Sequence, residues 1–285
     1  MNKLAVIGPG LLGGSIALAA RQYASWRVSI WARRDEAVAE LRDRGIGDEA
    51  STDLGAVADG ADLAVLCIPI GAMPEVAARL ASAIPPGAIV TDVGSVKARV
   101  VAELAPIFRE RGHFVGSHPM AGSEQTGISA ARADLFGGSV CIVTPHDGAK
   151  AQAVATVEAF WRTLGCRVRQ LSPQEHDETV ALISHLPHLL AAALVNSVGQ
   201  QDPGAFDFVG PGFRDTTRVA GGPPPMWTEI LTSNGPAVLK SAEAMIAKLR
   251  EFMTLLERQT DGDALSMNEF LTHAKTERDR LRASH

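Results

Sequence analysis

Short apolar runs alternate with amphipathic stretches along roughly the first 170 residues of the chain. The runs have the length of buried strands, and the stretches between them have the roughly 3.6-residue period of helices. The predicted strands are residues 3–8, 27–32, 62–68, 88–92, 113–116 and 140–144, and the predicted helices are residues 11–23, 37–44, 74–83 and 96–111. This alternation indicates an α/β fold, with a Rossmann-type, doubly wound parallel sheet over residues 1–170.

The pattern changes after residue 170, where no further strand is predicted. Ser172, Pro173 and Glu175 have the N-cap, N1 and N3 identities of a helix start. The helix is predicted to run to about residue 198, before an irregular Gly/Pro-rich stretch. Further helices are predicted at residues 213–219, 226–233, 236–258 and 264–282. Residues 171–285 are therefore expected to form a second, all-helical domain.

Composition limits the classes of function. A net charge of -5 argues against nonspecific nucleic-acid binding, which requires a basic surface. No apolar run approaches the roughly 18 residues of a membrane span, and the N-terminus lacks the form of a signal peptide. Cys67, Cys141 and Cys166 are widely spaced and odd in number, as expected for reduced thiols. These features predict a cytoplasmic protein that binds neither nucleic acid nor membrane.

A glycine fingerprint follows the first predicted strand and opens the first predicted helix. It reads Gly8-Pro-Gly10-Leu11-Leu12-Gly13. Gly8 permits a tight turn, Gly10 admits a pyrophosphate, and Gly13 lets the helix pack closely on the sheet. The phosphates would lie at the positive end of the helix that begins at Leu11 and Leu12. The segment predicts a dinucleotide-binding site.

The end of the second predicted strand bears on the choice of cofactor. Ala32 stands where NAD-dependent enzymes usually carry an acidic residue, and it is followed by Arg33, Arg34 and Asp35. The two guanidinium groups can hold a ribose 2′-phosphate. They can instead be solvated loop charges, with Asp35 as the cap of the next helix. The residues favour NADP and leave NAD open.

A lone histidine marks the candidate chemistry. His118 lies in the segment Gly116-Ser-His-Pro-Met-Ala-Gly-Ser-Glu124, between small residues and Pro119, which restricts its backbone. An imidazole held in a tight loop suits proton transfer better than core packing. Ser95, after another predicted strand, is expected either to face the cofactor cleft or to cap the helix at Val96, and one hydroxyl can do both.

Two clusters in the second half complete the candidate set. Ser184-His-Leu-Pro-His188 lies on the first predicted helix, and Gly212-Phe-Arg-Asp-Thr-Thr-Arg218 follows a Gly-rich break. Together with the fingerprint and the His118 segment, and in this order, they resemble the prephenate/arogenate dehydrogenase family of tyrosine biosynthesis. The resemblance runs nearly end to end.

The resemblance implies a Rossmann-type domain joined to a helical dimerisation domain, hence a homodimer. It also implies oxidative decarboxylation of prephenate or arogenate with NAD or NADP. By the family pattern, His118 accepts the substrate hydroxyl proton and Ser95 holds substrate and histidine in register. Arg218 and His188 bind the substrate. Other family positions that line or close the pocket correspond to Glu124, Ser123, His176 and Trp227.

Three alternatives bear on these residues. His176, His185 and His188 invite a metal site, but no His-Glu-x-x-His motif or acidic cluster completes one, so no metal is expected. A β-hydroxyacid dehydrogenase or imine reductase shares the expected architecture but has no need of the His118 segment. A non-catalytic dinucleotide-binding module would have no need of the Ser95, His118 and Arg218 set.

Because the chain ends near its last predicted helix, any inhibition by tyrosine is expected to act at the active site.

Overall fold

The computed structural model describes residues 2–123, 125–258 and 261–283. Its strands are β1 (Lys3–Ile7), β2 (Arg27–Trp31), β3 (Glu49–Ser51), β4 (Leu63–Leu66), β5 (Ala88–Asp92), β6 (Gly112–Phe114), β7 (Gly116–Pro119), β8 (Val140–Thr144) and β9 (Arg167–Gln170). Its helices are α1 (Leu11–Ala24), α2 (Asp35–Asp43), α3 (Leu54–Ala58), α4 (Met73–Ala83), α5 (Ala98–Phe108), α6 (Ala151–Thr163), α7 (Pro173–Val180), α8 (Leu186–Gln201), α9 (Pro211–Thr217), α10 (Pro224–Ser233), α11 (Gly235–Arg258) and α12 (Asp261–Ala283).

The main sheet is parallel and six-stranded, in the order β3-β2-β1-β4-β5-β6. The order reverses between β1 and β4, so a crevice opens beyond the carboxyl ends of these two strands. Alternate residues point to opposite faces, as in β1, where Val6 and Ile7 pack into different apolar clusters. The predicted Rossmann-type sheet and the helical C-terminal part are both confirmed.

A second sheet holds β7, β8 and β9, and here the predicted topology is wrong. Residues 113–116 and 140–144 were expected in one parallel sheet, but β8 pairs antiparallel with β7 and parallel with β9. The chain changes partner at Val115, between β6 on the main sheet and β7 on the small one. An apolar run cannot reveal this change, because both strands are extended and buried.

Ser117 holds the small sheet against the main one. Its hydroxyl donates to the carbonyl of Asp92 (2.6 Å) and accepts from the Thr91 hydroxyl (2.8 Å) and the Trp161 indole N–H (2.9 Å). All four residues are fully buried. Because buried polar groups are costly when unpaired, this closed set fixes β7 against the end of β5.

Five elements were not predicted: β3, β7, α3, α6 and β9. The strands β3 and β9 are short, and β9 buries only Val168, so neither shows an apolar alternation. The helix α3 has five residues and begins with Asp53, whose carboxylate accepts from Gly55 N and Ala56 N. Elements as short as β3, β9 and α3 leave too few repeats to establish a period. Length does not explain α6, which has 13 residues.

A continuous helical segment, Pro173–Gln201, opens the helical part. The predicted start at Ser172 is confirmed: its hydroxyl accepts from Glu175 N (3.2 Å), and the Glu175 carboxylate accepts from Ser172 N (2.9 Å). Between α7 and α8 the segment widens into a π turn, Ala181–His185. Pro187 lacks the N–H that the carbonyl of Ile183 would otherwise receive, so a regular α-helical bond cannot form there.

The same segment is 29 residues long and has a mean hydropathy of 1.4 over its most apolar window. By length and composition alone it can cross a membrane, which differs from the expectation that no such run exists. Core helices of soluble proteins share these properties. Its buried Asp177 hydrogen-bonds to the backbone of α5, which is the behaviour of a packed helix.

The chain divides into two compact units, Met1–Gly235 and Pro236–His285. The first contains both sheets and the helices through α10. The second contains α12 and nearly all of α11, with the rings of Phe252 and Phe270 5.3 Å apart.

Candidate active site

The glycine fingerprint forms a turn directly after β1. Gly8 has a φ of +114°, and a Cβ there would lie 2.5 Å from the carbonyl oxygen of Cys67. A Cβ on Gly13 would lie 1.9 Å from the carbonyl oxygen of Gly8. Around Gly10, in contrast, nothing lies within 4 Å of the corresponding position. Two of the glycines are thus required by packing, whereas Gly10 borders open space.

The helix α1 begins beside this space with Leu11 and Leu12. Gly10 is its N-cap, no side chain caps it, and its first turn carries no acidic residue. Its leading N–H groups and the positive end of its dipole are therefore available to an anion. The residues present fit the pyrophosphate of a dinucleotide.

The end of β2 presents two arginines. Ala32 is buried, and its N–H donates to the carbonyl of Ser51 (3.1 Å). Arg33 and Arg34 are exposed, and neither guanidinium is hydrogen-bonded or ion-paired within the described ranges. Asp35 was considered as the cap of the next helix, but it is the first residue of α2, whose N-cap is Arg34 without a side-chain bond. Two cations therefore stand beside the expected ribose position.

His118 lies on β7, not in a loop as the sequence analysis expected, and pairs with Ile142 of β8. The small residues around it permit close packing of strands rather than a tight turn. Its side chain is buried, with 7% of the residue exposed. Burial holds the pKa of His118 well below its ordinary value, and His176, Lys97 and His185 lower it further. The imidazole is therefore neutral and able to accept a proton at neutral pH.

His176 and Asp177 lie directly behind His118. His118 Nδ1 is 2.9 Å from His176 Nε2, and His176 Nδ1 is 2.8 Å from Asp177 Oδ1. His176 has no exposed surface. The family pattern suggested that it lines the substrate pocket, whereas here its ring contacts the histidine rather than open space.

Asp177 also caps α5. Its carboxylate accepts from the backbone N–H of Lys97 (2.7 Å) and of Ala98 (2.9 Å). Burial acts to raise the pKa of Asp177, but the hydrogen bond from His176 and the two backbone bonds offset it, and the net pKa is lowered. The expectation that Ser95 caps a helix at Val96 is wrong, because α5 begins at Ala98 and receives its cap from α7.

A buried ion pair between Lys97 and Asp92 adjoins this cluster, and sequence reasoning missed it. Both side chains are fully buried, and Asp92 also accepts from Gly94 N (2.8 Å) and Ser117 N (3.2 Å). The signal was present, since an acid ends β5 and a lysine follows five residues later. A local sequence does not, however, indicate that both will be buried.

The π turn and α8 contribute two further buried histidines. Burial lowers the pKa of His185 to about 4, and its Nδ1 is 3.1 Å from the amide nitrogen of Asn234, which also donates to the carbonyl of Asp177 (2.8 Å). His188 stacks on Trp227 with ring centroids 3.6 Å apart and an interplanar angle of 8°. His188 Nδ1 is buried without a hydrogen-bond partner in the described part of the chain.

The remaining predicted residues lie nearer the surface. Ser95 is half-buried in the loop between β5 and α5, and its backbone carbonyl interacts with His185. Arg218 is exposed and begins a 3₁₀ turn, Arg218–Gly221, that packs on α8. Ser123 is exposed and accepts from Gln125 N (3.1 Å). Glu124 lies outside the described residues.

The histidines are not arranged as a metal site. Over residues 2–123, 125–258 and 261–283, no three His, Cys, Asp or Glu side chains are grouped so that they could hold a metal ion. The cluster behind His118 instead supplies hydrogen bonds and fixed charges.

Comparison with protein families gives matches over nearly all of the chain. Residues 16–170 match the family model described as prephenate dehydrogenase, nucleotide-binding domain. Residues 172–272 match the one described as prephenate dehydrogenase, dimerization domain.

Characterised proteins agree with these matches. A cyclohexadienyl dehydrogenase from Zymomonas mobilis is 35% identical over 269 residues, which cover 93% of this chain and 91% of that protein. A prephenate dehydrogenase from Bacillus subtilis is 33% identical, over 98% of this chain and 76% of that protein.

Solved structures show the same similarity. Prephenate dehydrogenase from A. aeolicus, in complex with hydroxyphenyl propionate and NAD+, has a TM-score of 0.91 and 30% identity, covering 99% of this chain and 98% of that one. Synechocystis arogenate dehydrogenase has a TM-score of 0.84 and 31% identity, covering 98% and 99%. A 3-hydroxyisobutyrate dehydrogenase from Salmonella typhimurium, at 14% identity and a TM-score of 0.62, shares the fold alone.

The fingerprint glycines give a paired prediction. Gly10→Ala should leave the melting temperature within a few degrees of wild type, because its methyl enters open space, yet weaken dinucleotide affinity about tenfold or more. Gly13→Ala should lower the free energy of unfolding by about 1–3 kcal/mol, because its methyl displaces the turn at Gly8. Thermal denaturation and cofactor fluorescence titration measure both effects. Equal loss of stability in the two variants would contradict the assignment.

The buried histidines predict instability in acid. The unfolded chain takes up a proton at His185 near pH 6.5, but the folded protein does so only near pH 4. Stability attributable to His185 is therefore complete above about pH 6.5 and falls by about 1.4 kcal/mol per pH unit down to about pH 4. Because the pKa of Asp177 is lowered in the folded protein, its contribution to stability is lost only in more acidic solution, as the pH falls below the ordinary pKa of an aspartate.

His185→Gln should make the pH dependence of the free energy of unfolding less steep between pH 6.5 and 4. Urea denaturation at several pH values measures this slope. His273→Gln, which changes an exposed imidazole, serves as the matched control. A slope unchanged by His185→Gln would show that this group does not titrate as described.

Proposed function

Because the chain belongs to the prephenate dehydrogenase family, we propose that it oxidatively decarboxylates prephenate to 4-hydroxyphenylpyruvate, arogenate to tyrosine, or both. The reaction transfers a hydride to a nicotinamide dinucleotide and belongs to tyrosine biosynthesis. The observation that carries the proposal is the environment of His118. A buried, neutral imidazole with its Nδ1 engaged leaves only Nε2 to accept a proton.

The substrate is a cyclohexadienol with a carboxylate on the ring carbon opposite its C4 hydroxyl. His118 takes the hydroxyl proton as hydride leaves C4, which forms the carbonyl. The electrons of the carbon–carboxylate bond then enter the ring, CO2 departs, and the aromatic product results. A positioned base of this kind contributes about 10²–10⁴-fold to the rate.

A bound dinucleotide would supply the hydride acceptor. Gly8, Gly10 and Gly13 shape the turn that would hold its pyrophosphate, and Leu11 and Leu12 contribute the helix terminus. No acidic side chain stands at Ala32 to bond both ribose hydroxyls, while Arg33 and Arg34 offer cations to a 2′-phosphate. We therefore favour NADP over NAD.

Substrate binding is assigned mainly to the helical part, with Ser95, Ser123 and Glu124 contributed by the N-terminal part. Arg218 provides a guanidinium for a substrate carboxylate, a geometry that favours a bidentate pair. His188, fixed by stacking on Trp227, has its buried Nδ1 free of partners in the described chain and is suited to a polar group of the substrate. The Ser95 hydroxyl would hold substrate and His118 in register. Ser123 and Glu124 are proposed to close the pocket.

The domain assignment follows the same division. We assign residues 1–170 to dinucleotide binding and residues 171–285 to substrate binding and dimerisation. One surface of α11 supports a homodimer, since exposed apolar side chains recur there at helical spacing: Leu239, Ile246, Leu249, Met253 and Leu256. A monomer in sedimentation at micromolar concentration would contradict this. All three cysteines are free thiols, which supports a cytoplasmic location.

Reduced-cofactor absorbance tests the reaction directly. Prephenate and arogenate, each paired with NAD and NADP, should give turnover in at least one combination. His118→Asn should lower kcat by about 10²–10⁴-fold, while His273→Asn, at an exposed site, should retain wild-type kcat. Folded, cofactor-binding protein that turns over none of the four pairs would overturn the proposal.

The cofactor assignment is tested at Ala32. Ala32→Asp places a carboxylate beside the ribose, where it attracts two hydroxyls and repels a phosphate. The ratio of kcat/KM with NADP to that with NAD should fall about tenfold or more. Ala32→Asn, without the charge, is the matched control and should shift the ratio less. An unchanged ratio for Ala32→Asp would remove the basis for favouring NADP.

A further inference from the structure

We infer that His176 and Asp177 are positioning residues that hold the proton of His118 on Nδ1 and leave Nε2 as the proton acceptor. The inference rests on the proposed role of His118 as the base. It concerns the tautomer of that base, which can be observed without turnover.

The direction of each hydrogen bond between Asp177, His176 and His118 follows from the donors that the Asp177 carboxylate already binds. Asp177 accepts two backbone N–H groups, from Lys97 and Ala98 at 2.7 and 2.9 Å, so its carboxylate is held as an acceptor. The nitrogen 2.8 Å from its Oδ1, Nδ1 of His176, must then carry a proton. A neutral imidazole has one N–H, so Nε2 of His176 is an acceptor.

His118 is the last member of this series of hydrogen bonds. Its Nδ1, 2.9 Å from that acceptor, must donate, and the single proton of the neutral ring is thereby assigned. Nε2 of His118 has no hydrogen bond within the described residues and keeps its lone pair. The carboxylate of Asp177 thus sets the tautomer of His118 through the ring of His176.

The arrangement resists rotation because both of its ends are held from a second side. His118 is fixed by β7, and Asp177 by the amino terminus of α5. The other ionisable groups around His118 do not compete for its Nδ1. Lys97 pairs with Asp92, and His185 is engaged by Asn234. If these hydrogen bonds were broken, His118 could adopt the opposite tautomer. That tautomer presents an N–H to the substrate hydroxyl, where an acceptor is needed.

Histidine-selective ¹⁵N NMR of the ligand-free protein measures the tautomer, and the spectrum of His118→Asn assigns the His118 signals. In the wild type, the Nδ1 shift of His118 should be that of a protonated nitrogen and the Nε2 shift that of an unprotonated one. His176→Phe removes the acceptor and keeps a buried ring, with Asp177 still capping α5. Both His118 shifts should then move toward intermediate values.

Kinetics separates positioning from folding. His176→Phe and Asp177→Asn should lower kcat by about 10²-fold or more, with KM within about threefold of wild type. Asp53→Asn is the matched control, because it neutralises a helix-capping aspartate that contacts no histidine. Because Asn caps a helix about as well as Asp, the melting temperature should stay near that of the wild type, with kcat and the His118 shifts unchanged.

The outcomes distinguish this inference from the proposed function. A protonated Nε2 on His118 in the wild type would overturn the inference. So would a kcat within twofold of wild type in both His176→Phe and Asp177→Asn. Full activity in His118→Asn would overturn the proposed base instead, whatever the NMR shifts. Altered shifts together with reduced kcat in both variants would support the positioning role.

Discussion

The buried carboxylate of Asp177 is the contact on which the candidate site depends. It joins the first helix of the helical part to the amino terminus of α5 and to the imidazole of His176. Helix capping alone is commonly achieved by a local Ser, Thr or Asp. Here the capping group comes from 80 residues further along the chain. The same oxygen atoms thus link the packing of two elements to the hydrogen bonding of the candidate base.

Burial, and after it the neighbouring charges, explain why His118 stays neutral. Taking an imidazolium out of water is costly, and the neighbouring Lys97 opposes a second positive charge. The Lys97 charge is itself compensated by Asp92, which also accepts two backbone N–H groups. Breaking such a buried pair would leave an unpaired charge in the core. The pair therefore anchors the end of β5 and contributes to the field around the base.

The sequence was informative where one local signal decides the structure. The apolar runs of the main sheet, the capping box at Ser172 and the spacing of Gly8 and Gly13 each act through near neighbours, and each was found. His118 was identified as a chemical group, but its backbone was assigned to a loop because Gly116 and Pro119 are also typical of turns. The structure uses them in a strand that leaves one sheet for another.

The contacts that could not be foreseen are long-range. His176 lies 58 residues from His118 in sequence, and nothing in its local pattern distinguishes a pocket residue from one behind the base. The cap on α5 was assigned to Ser95 because a nearby hydroxyl is the usual solution. The Lys97–Asp92 pair was missed because exposed lysines are far more common than buried ones.

These long-range contacts also lower the stability of the protein at acidic pH. Four histidines, His118, His176, His185 and His188, are buried and have lowered pKa values, with burial the leading cause in each. Each favours the protonated unfolded chain as the pH falls below about 6.5. A solvated histidine would avoid that loss, but its tautomer would be free and water would compete for its lone pair. The protein thus exchanges stability in acid for a base with a defined acceptor atom. The same burial keeps that base unprotonated at the pH where hydride transfer and decarboxylation are proposed to proceed.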